Sequence, residues 1–123
     1  MDDKEKTSSI DRIHKMVFAD IYPMYIQKAK KKNRTEEEVD NIIYWLTGYD
    51  KNAIKDQVNK RSSFESFFEN APKLNPKLYD ITGSICGYRI EEINDDLTRK
   101  VRCLDKLIDE LAKGKTMEKI LKY

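Results

Sequence analysis

The sequence predicts an all-α fold, a compact bundle of about five to seven short helices, with an irregular or extended segment near residues 81–90 as its one departure. Three observations carry that expectation. Apolar residues recur every three or four positions along most of the chain, which puts them on one face of a helix. Capping residues precede these runs, and glycine or asparagine follows them. The 123 residues suit one domain with one core.

Residues 1–9, MDDKEKTSS, read as a flexible tail, and residues 10–123 as a single helical domain. Ile10, Ile13, Val17 and Ile21 step by three, four and four along a first helix. Pro23 disfavours helical geometry at Tyr22, so a break is expected there, with Met24, Tyr25, Ile26 and Ala29 resuming the helix. Asn33 is a suitable left-handed terminator. Thr35 and Glu38 then have capping-box spacing, and Val39, Ile42, Ile43 and Leu46 form the buried face that follows. Gly48 closes this helix and Asp50 opens another, running to about Arg61. Ser62 and Glu65 suggest a second capping box, ahead of Phe64, Phe67 and Phe68 on one face.

Asn75 followed by Pro76 is a helix start, and Leu78, Ile81, Ile85 and Tyr88 continue at spacings of three or four. On that reading Gly83 and Gly87 make a small-residue stripe for close packing against a neighbouring helix or a ligand. A short strand is the rival, because each glycine costs a helix about 1 kcal/mol relative to alanine. Leu97, Val101, Leu104, Ile108 and Leu111 then repeat as four, three, four, three, a seam suited to packing in a bundle or to self-association. Gly114 ends that helix, and Thr116 caps a last turn.

Composition limits the function classes. Charged residues are 37% of the chain, against a typical ~25%, and mean hydropathy is −0.78, so the surface is heavily solvated. No apolar run approaches the ~18 residues of a membrane span, and the first residues lack a signal-peptide core, which points to the cytoplasm. Two cysteines, Cys86 and Cys103, are too few for a disulfide framework or a thiolate metal site. The lone His14 beside Ile13 and Val17 reads as a boundary residue, so neither a metal nor a cofactor is expected. Both cysteines sit in apolar company in the sequence, where thiols are usually packed rather than reactive.

The block KAKKKNR, residues 28–34, is followed at once by EEEVD, residues 36–40. Lysines ending one helix and glutamates opening the next each suit the local end of the backbone dipole. The helix pair over 35–61 has helix-turn-helix lengths, with Asn52, Gln57 and Asn59 able to read base edges. Three glutamates on its first turn argue against nucleic acid.

The leading expectation is therefore an interaction or regulatory module whose partner is a second copy (a homodimer) or another protein. An alternative is a small-molecule-binding protein or enzyme near residues 81–90, with Tyr22, Tyr25, Trp45, Tyr49, Cys86, Tyr88 and Arg89 as pocket residues. The further alternative is nucleic-acid binding through the 35–61 pair.

The segments YPMYIQKAKKKNRTEEEVDNIIYWLTGY, FFENAPKLNP, ITGSICGYRIEEI and LDKLIDELAKGKTMEKIL resemble a bacterial family, domain-of-unknown-function family 2200, over residues 12–122. The resemblance implies a stand-alone bacterial cytosolic domain. It implies no activity and no functional residues.

Overall fold

The computed structural model describes residues 11–123; the expected tail and Ile10 lie outside the described residues. A helical stretch over 11–15 leads to α1 (Phe18–Lys30), α2 (Glu36–Thr47), α3 (Lys51–Asn59) and α4 (Phe64–Glu69). A 3-10 turn (Pro76–Asp80), a two-stranded hairpin of β1 (Ser84–Ile85) and β2 (Tyr88–Arg89), and a second 3-10 turn (Ile90–Glu92) follow. The long helix α5 (Asp96–Ala112) and the short α6 (Met117–Ile120) complete the chain. The fold is all-α with one minimal hairpin.

The helix ends follow their caps. Thr35 Oγ1 accepts from the Glu38 N–H while Glu38 reaches back to the Thr35 N–H, so the capping box is complete. Asp50 accepts from Ala53 N–H, Asp95 from Thr98 N–H and Thr116 from Lys119 N–H. Asn33 takes a φ of 61° and Gly48 one of 82°, both left-handed, at the ends of α1 and α2. At Gly48 a methyl group would also meet the Lys73 backbone at 2.9 Å, so the turn over 72–73 can approach only because no side chain stands there.

The core joins the elements through α1 and α5. Helix α1 packs against α2, α3 and α5, and α5 also packs against α2 and α4. Leu97, Val101, Leu104, Ile108 and Leu111 are all buried within the single chain, so the seam is used inside the bundle. Phe18 stacks on Phe67 at 4.0 Å between ring centroids and meets Phe64 edge-on at 5.8 Å; Tyr49 stacks on Phe67 at 4.8 Å. Each such ring, fully buried, contributes about 1.5–3 kcal/mol relative to exposure.

Three sequence expectations are corrected. The helix break falls at Met16 and Val17 rather than at Tyr22, and α1 runs through Pro23. Tertiary pairing sets the break: Val17 bridges Ser63, Phe18 N–H donates to Ser62 O at 2.8 Å, and Phe64 N–H donates to Met16 O at 3.0 Å. The cap of α4 is Ser63 rather than Ser62, with its side chain accepting from Ser66 N–H.

The third correction concerns the helix expected to continue from Asn75 through Tyr88; the extended segment expected near 81–90 is present. The helix opened by Asn75 and Pro76 stops after one 3-10 turn, and the chain then folds into the hairpin. Ile85 pairs with Tyr88, leaving Cys86 and Gly87 as a two-residue loop with φ of 51° and 82°. Two positive φ values are the signature of a type I′ turn, whose twist suits paired strands. The glycines therefore make no helical stripe. Gly87 serves the turn and has open space around it, while a methyl group at Gly83 would press on Lys106 Cε at 3.3 Å.

Candidate functional site

The hairpin lies over α5 beside a polar cluster of Tyr25, Arg102 and Asp105. Tyr25, from α1, is buried and donates its hydroxyl to Asp105 Oδ1 at 2.7 Å. Arg102 Nη1 donates to Asp105 Oδ2 at 3.1 Å, and its guanidinium stands 5.3 Å from the centre of the Tyr88 ring. Lys106 Nζ donates to Ser84 O at 3.1 Å, tying β1 to α5. Burial pushes the Tyr25 phenol well above its ordinary pKa; the Asp105 charge and hydrogen bond add to this, and Arg102 opposes it. The hydroxyl therefore stays a donor at neutral pH, and the cluster acts as a tie between α1 and α5. The Cys86 thiol, by contrast, is exposed at the turn, which corrects the expectation of apolar company.

The other predicted pocket residues go elsewhere. Tyr22 donates to Asp40 Oδ1 at 2.5 Å across the α1–α2 contact. Burial raises the pKa of both partners, and at Tyr22 the Asp40 carboxylate raises it further. Tyr49 is in the aromatic core, with its hydroxyl donating to Phe67 O at 2.8 Å. Trp45 is half-buried and leans on Tyr123 at 6.4 Å between ring centres. Arg89 is exposed and paired with Glu91 at 3.0 Å and Glu92 at 3.8 Å. Of the seven residues, Tyr25 and Tyr88 share the Arg102–Asp105 cluster, and Tyr22, Trp45, Tyr49 and Arg89 are tied elsewhere.

Sequence reasoning missed Arg102 and Asp105. They flank the α5 seam at a spacing of three, and that i, i+3 pairing was the available signal.

His14 Nε2 lies 2.9 Å from Asp95 Oδ2, which also accepts from Thr98 N–H and Oγ1–H. The imidazole thus pins residues 11–15 to the cap of α5. Among the described residues, no group of three His, Cys, Asp or Glu side chains could hold a metal ion. In the 35–61 pair, Lys60 pairs with Asp56 at 2.8 Å and Arg61 with Asp20 at 2.7 Å. An open depression of about 470 Å³ is lined by Asp11, Arg12, Lys15 and Met16, away from the predicted pocket residues. No helix among the described residues is long and apolar enough to cross a membrane.

Fold and cluster together define a small all-α domain in which the Tyr22, Tyr25 and Tyr49 hydroxyls are each bonded to an internal partner. The chain belongs to the bacterial family described as "Uncharacterized protein conserved in bacteria (DUF2200)", which it matches over residues 12–122. It is also similar to a solved structure titled "Crystal structure of uncharacterized protein SP1917". The two are 40% identical with a TM-score of 0.83, over 90% of this chain and 91% of that one. No curated protein matches the chain.

Proposed function

We infer that the chain is an interaction module of the bacterial cytosol, acting through its outer surface on another protein. One observation carries this reading. The aromatic and polar groups that would make a ligand pocket are separated into different places, most of them tied to an internal partner: Tyr22 with Asp40, Tyr25 with Asp105, Tyr49 with Phe67. Chemistry on a substrate needs a group free to change partners at a convergent site.

Among the described residues, the large apolar groups left exposed are Met24, Tyr44 and Tyr79. Self-association is a narrower version of the same reading. It would use Met24 or Tyr44 rather than the α5 seam, which is buried within one chain. Light scattering over a dilution series is expected to show a strict monomer when both are replaced by Ser.

The enzyme alternative is tested directly by a thermal-shift screen of nucleotides and metabolites. Saturating a true site at a hundredfold excess over Kd adds about 2.7 kcal/mol, which is several degrees of Tm for a domain of this size. The expected result is no shift, and a hit of that size overturns the reading.

A further inference from the structure

We propose that the lysine-rich end of the molecule docks an acidic segment of a partner protein, an inference that rests on the interaction-module reading. Helix α1 ends in Lys28 and Lys30, followed by Lys31 and Lys32; Lys113 and Lys115 follow α5. These blocks are far apart in sequence and meet in space. Lys28 Nζ lies 3.2 Å from Asp109 Oδ1 and Lys113 Nζ 3.0 Å from Oδ2 of the same carboxylate. Arg34 Nη1 donates to Lys115 O at 2.7 Å.

The acids inside the cluster neutralise only part of it. Asp109 is shared by two lysines, Glu38 is held by Arg34 at 2.6 Å and Glu110 by Lys115 at 3.1 Å. Seven cations (Lys28, Lys30, Lys31, Lys32, Arg34, Lys113, Lys115) stand against those three paired acids and the bordering Glu36 and Glu37, a surplus of two positive charges that is concentrated at Lys30, Lys31 and Lys32. Lys30, Lys31 and Lys32 are exposed and enter none of the ion pairs among the described residues. Caps for the helix ends would need fewer lysines than these, since the dipole acts only on the last turn.

The pattern at the border selects the class of partner. Glu36 and Glu37 open α2 beside the lysines. A continuous phosphate backbone or a plane of anionic lipid would meet these like charges. A peptide can set its carboxylates over the lysines and turn other side chains toward the glutamates. Lysine is also a point charge without the arginine fork that recognises phosphate bidentately. Met24, 59% exposed, lies four and seven positions before Lys28 and Lys31 on the same side of α1 and offers one apolar contact.

The test uses the whole chain and a fluorescein-labelled poly-glutamate peptide, read by fluorescence anisotropy. Binding is expected at low salt, weakening about tenfold or more at physiological ionic strength. The triple reversal Lys30→Glu, Lys31→Glu, Lys32→Glu is expected to weaken it at least about tenfold, with helical circular dichroism unchanged. A reversal of equal charge elsewhere, Lys55→Glu, Lys60→Glu, Lys73→Glu, is expected to change it less than about twofold. If the triple variant fails to fold, the three single reversals replace it, each expected to cost about threefold.

No binding, equal loss in both triple variants, or tighter binding of duplex DNA or phosphatidylserine vesicles in the same buffer overturns the proposal. Those outcomes leave the interaction-module reading in place, since that reading stands or falls on the ligand screen.

Discussion

Arg34 is joined to Leu111 across 77 positions of sequence: its Nη1 donates to the Leu111 carbonyl at 3.1 Å and to the Lys115 carbonyl at 2.7 Å. The same guanidinium holds Glu38, through Nε at 3.2 Å and Nη2 at 2.6 Å. One side chain thus adds a donor at the carbonyl end of α5, beside the Gly114 N–H that Leu111 O already accepts, while fixing the capping box of α2. Arg34→Ala is expected to cost about 1–3 kcal/mol, because it removes the charged partner of Glu38 and the side-chain donor to Lys115 O at once, while Leu111 O keeps the Gly114 N–H. Arg34→Lys should restore less than half of that, since an ammonium cannot fork between the two directions. Urea unfolding monitored by circular dichroism measures both.

The same contact sets part of the acid response. The Arg34 hydrogen bond, against some burial, holds the Glu38 carboxyl at about 2, below its ordinary 4.5. A folded-state pKa below the unfolded one means stability that is fully present above about 4.5 and is lost as pH falls toward about 2. Asp96, held down by Lys100 and Tyr79, shifts in the same direction. Asp95 and Asp109 do so too: burial opposes their charged form, but donors from Thr98 and His14, and from Lys113 and Lys28, outweigh it. The urea midpoint is therefore expected to fall through that acid window, with a shallower slope in Arg34→Ala. An unchanged slope in the variant would show that Glu38 is not coupled to Arg34.

What could be read beforehand depended on whether the determinants were local. Thr35, Glu38, Asp50 and Thr116 cap within three residues of themselves, so their spacing sufficed. The α5 face was legible because it repeats over four turns. The break at Val17 was not, because its cause is Ser62 and Ser63, more than forty residues away. Leu78, Ile81, Ile85 and Tyr88 imitated a helical face by spacing alone, while the pair Cys86–Gly87 held the turn signal. Glycine second in a two-residue loop favours a hairpin, but cysteine first is uncommon there and hid it. The predicted pocket failed for a related reason: aromatic and polar types can be picked from a sequence, but their convergence is a property of the packed chain.

The hairpin turn makes a prediction of opposite signs at adjacent residues. Cys86 holds a φ of 51°, where a β-carbon is strained and asparagine is better tolerated. Cys86→Asn is expected to stabilise by up to about 1 kcal/mol. Gly87, at a φ of 82°, has nothing within 4 Å of an added methyl group, so Gly87→Ala carries only the backbone penalty, about 1–2 kcal/mol. Thermal unfolding of the two variants should shift in opposite directions.

At Tyr25 the role of the polar cluster can be isolated. Tyr25→Phe keeps the ring and removes only the donor to Asp105, leaving that carboxylate with Arg102. A loss of about 1–2 kcal/mol is expected, as for a part-buried hydrogen bond to a charged group. Tyr25→Phe combined with Asp105→Asn should cost less than the sum of the two single changes, because they share one interaction. Strict additivity in the cycle would show that the hydroxyl and the carboxylate are not coupled.

The two thiols are expected to behave as different chemical species. Cys103 is fully buried on α5 and its thiol donates to Leu78 O at 3.4 Å. Burial, against a smaller opposing effect of Arg99, pushes its pKa up to about 12 from an ordinary 9.0, so almost no thiolate forms near neutral pH. Cys86 stands in solvent at the hairpin turn. A disulfide reagent that absorbs on thiolate release should therefore titrate one thiol in the folded chain and two in denaturant. Cys86→Ser should abolish the native reaction, and Cys103→Ser should leave it unchanged. Because Cys103 reacts only through opening of the bundle, its slow labelling rate should also rise in Arg34→Ala, about tenfold for each ~1.4 kcal/mol of stability lost. Fast labelling of Cys103 in the native wild-type chain would contradict its position in the core.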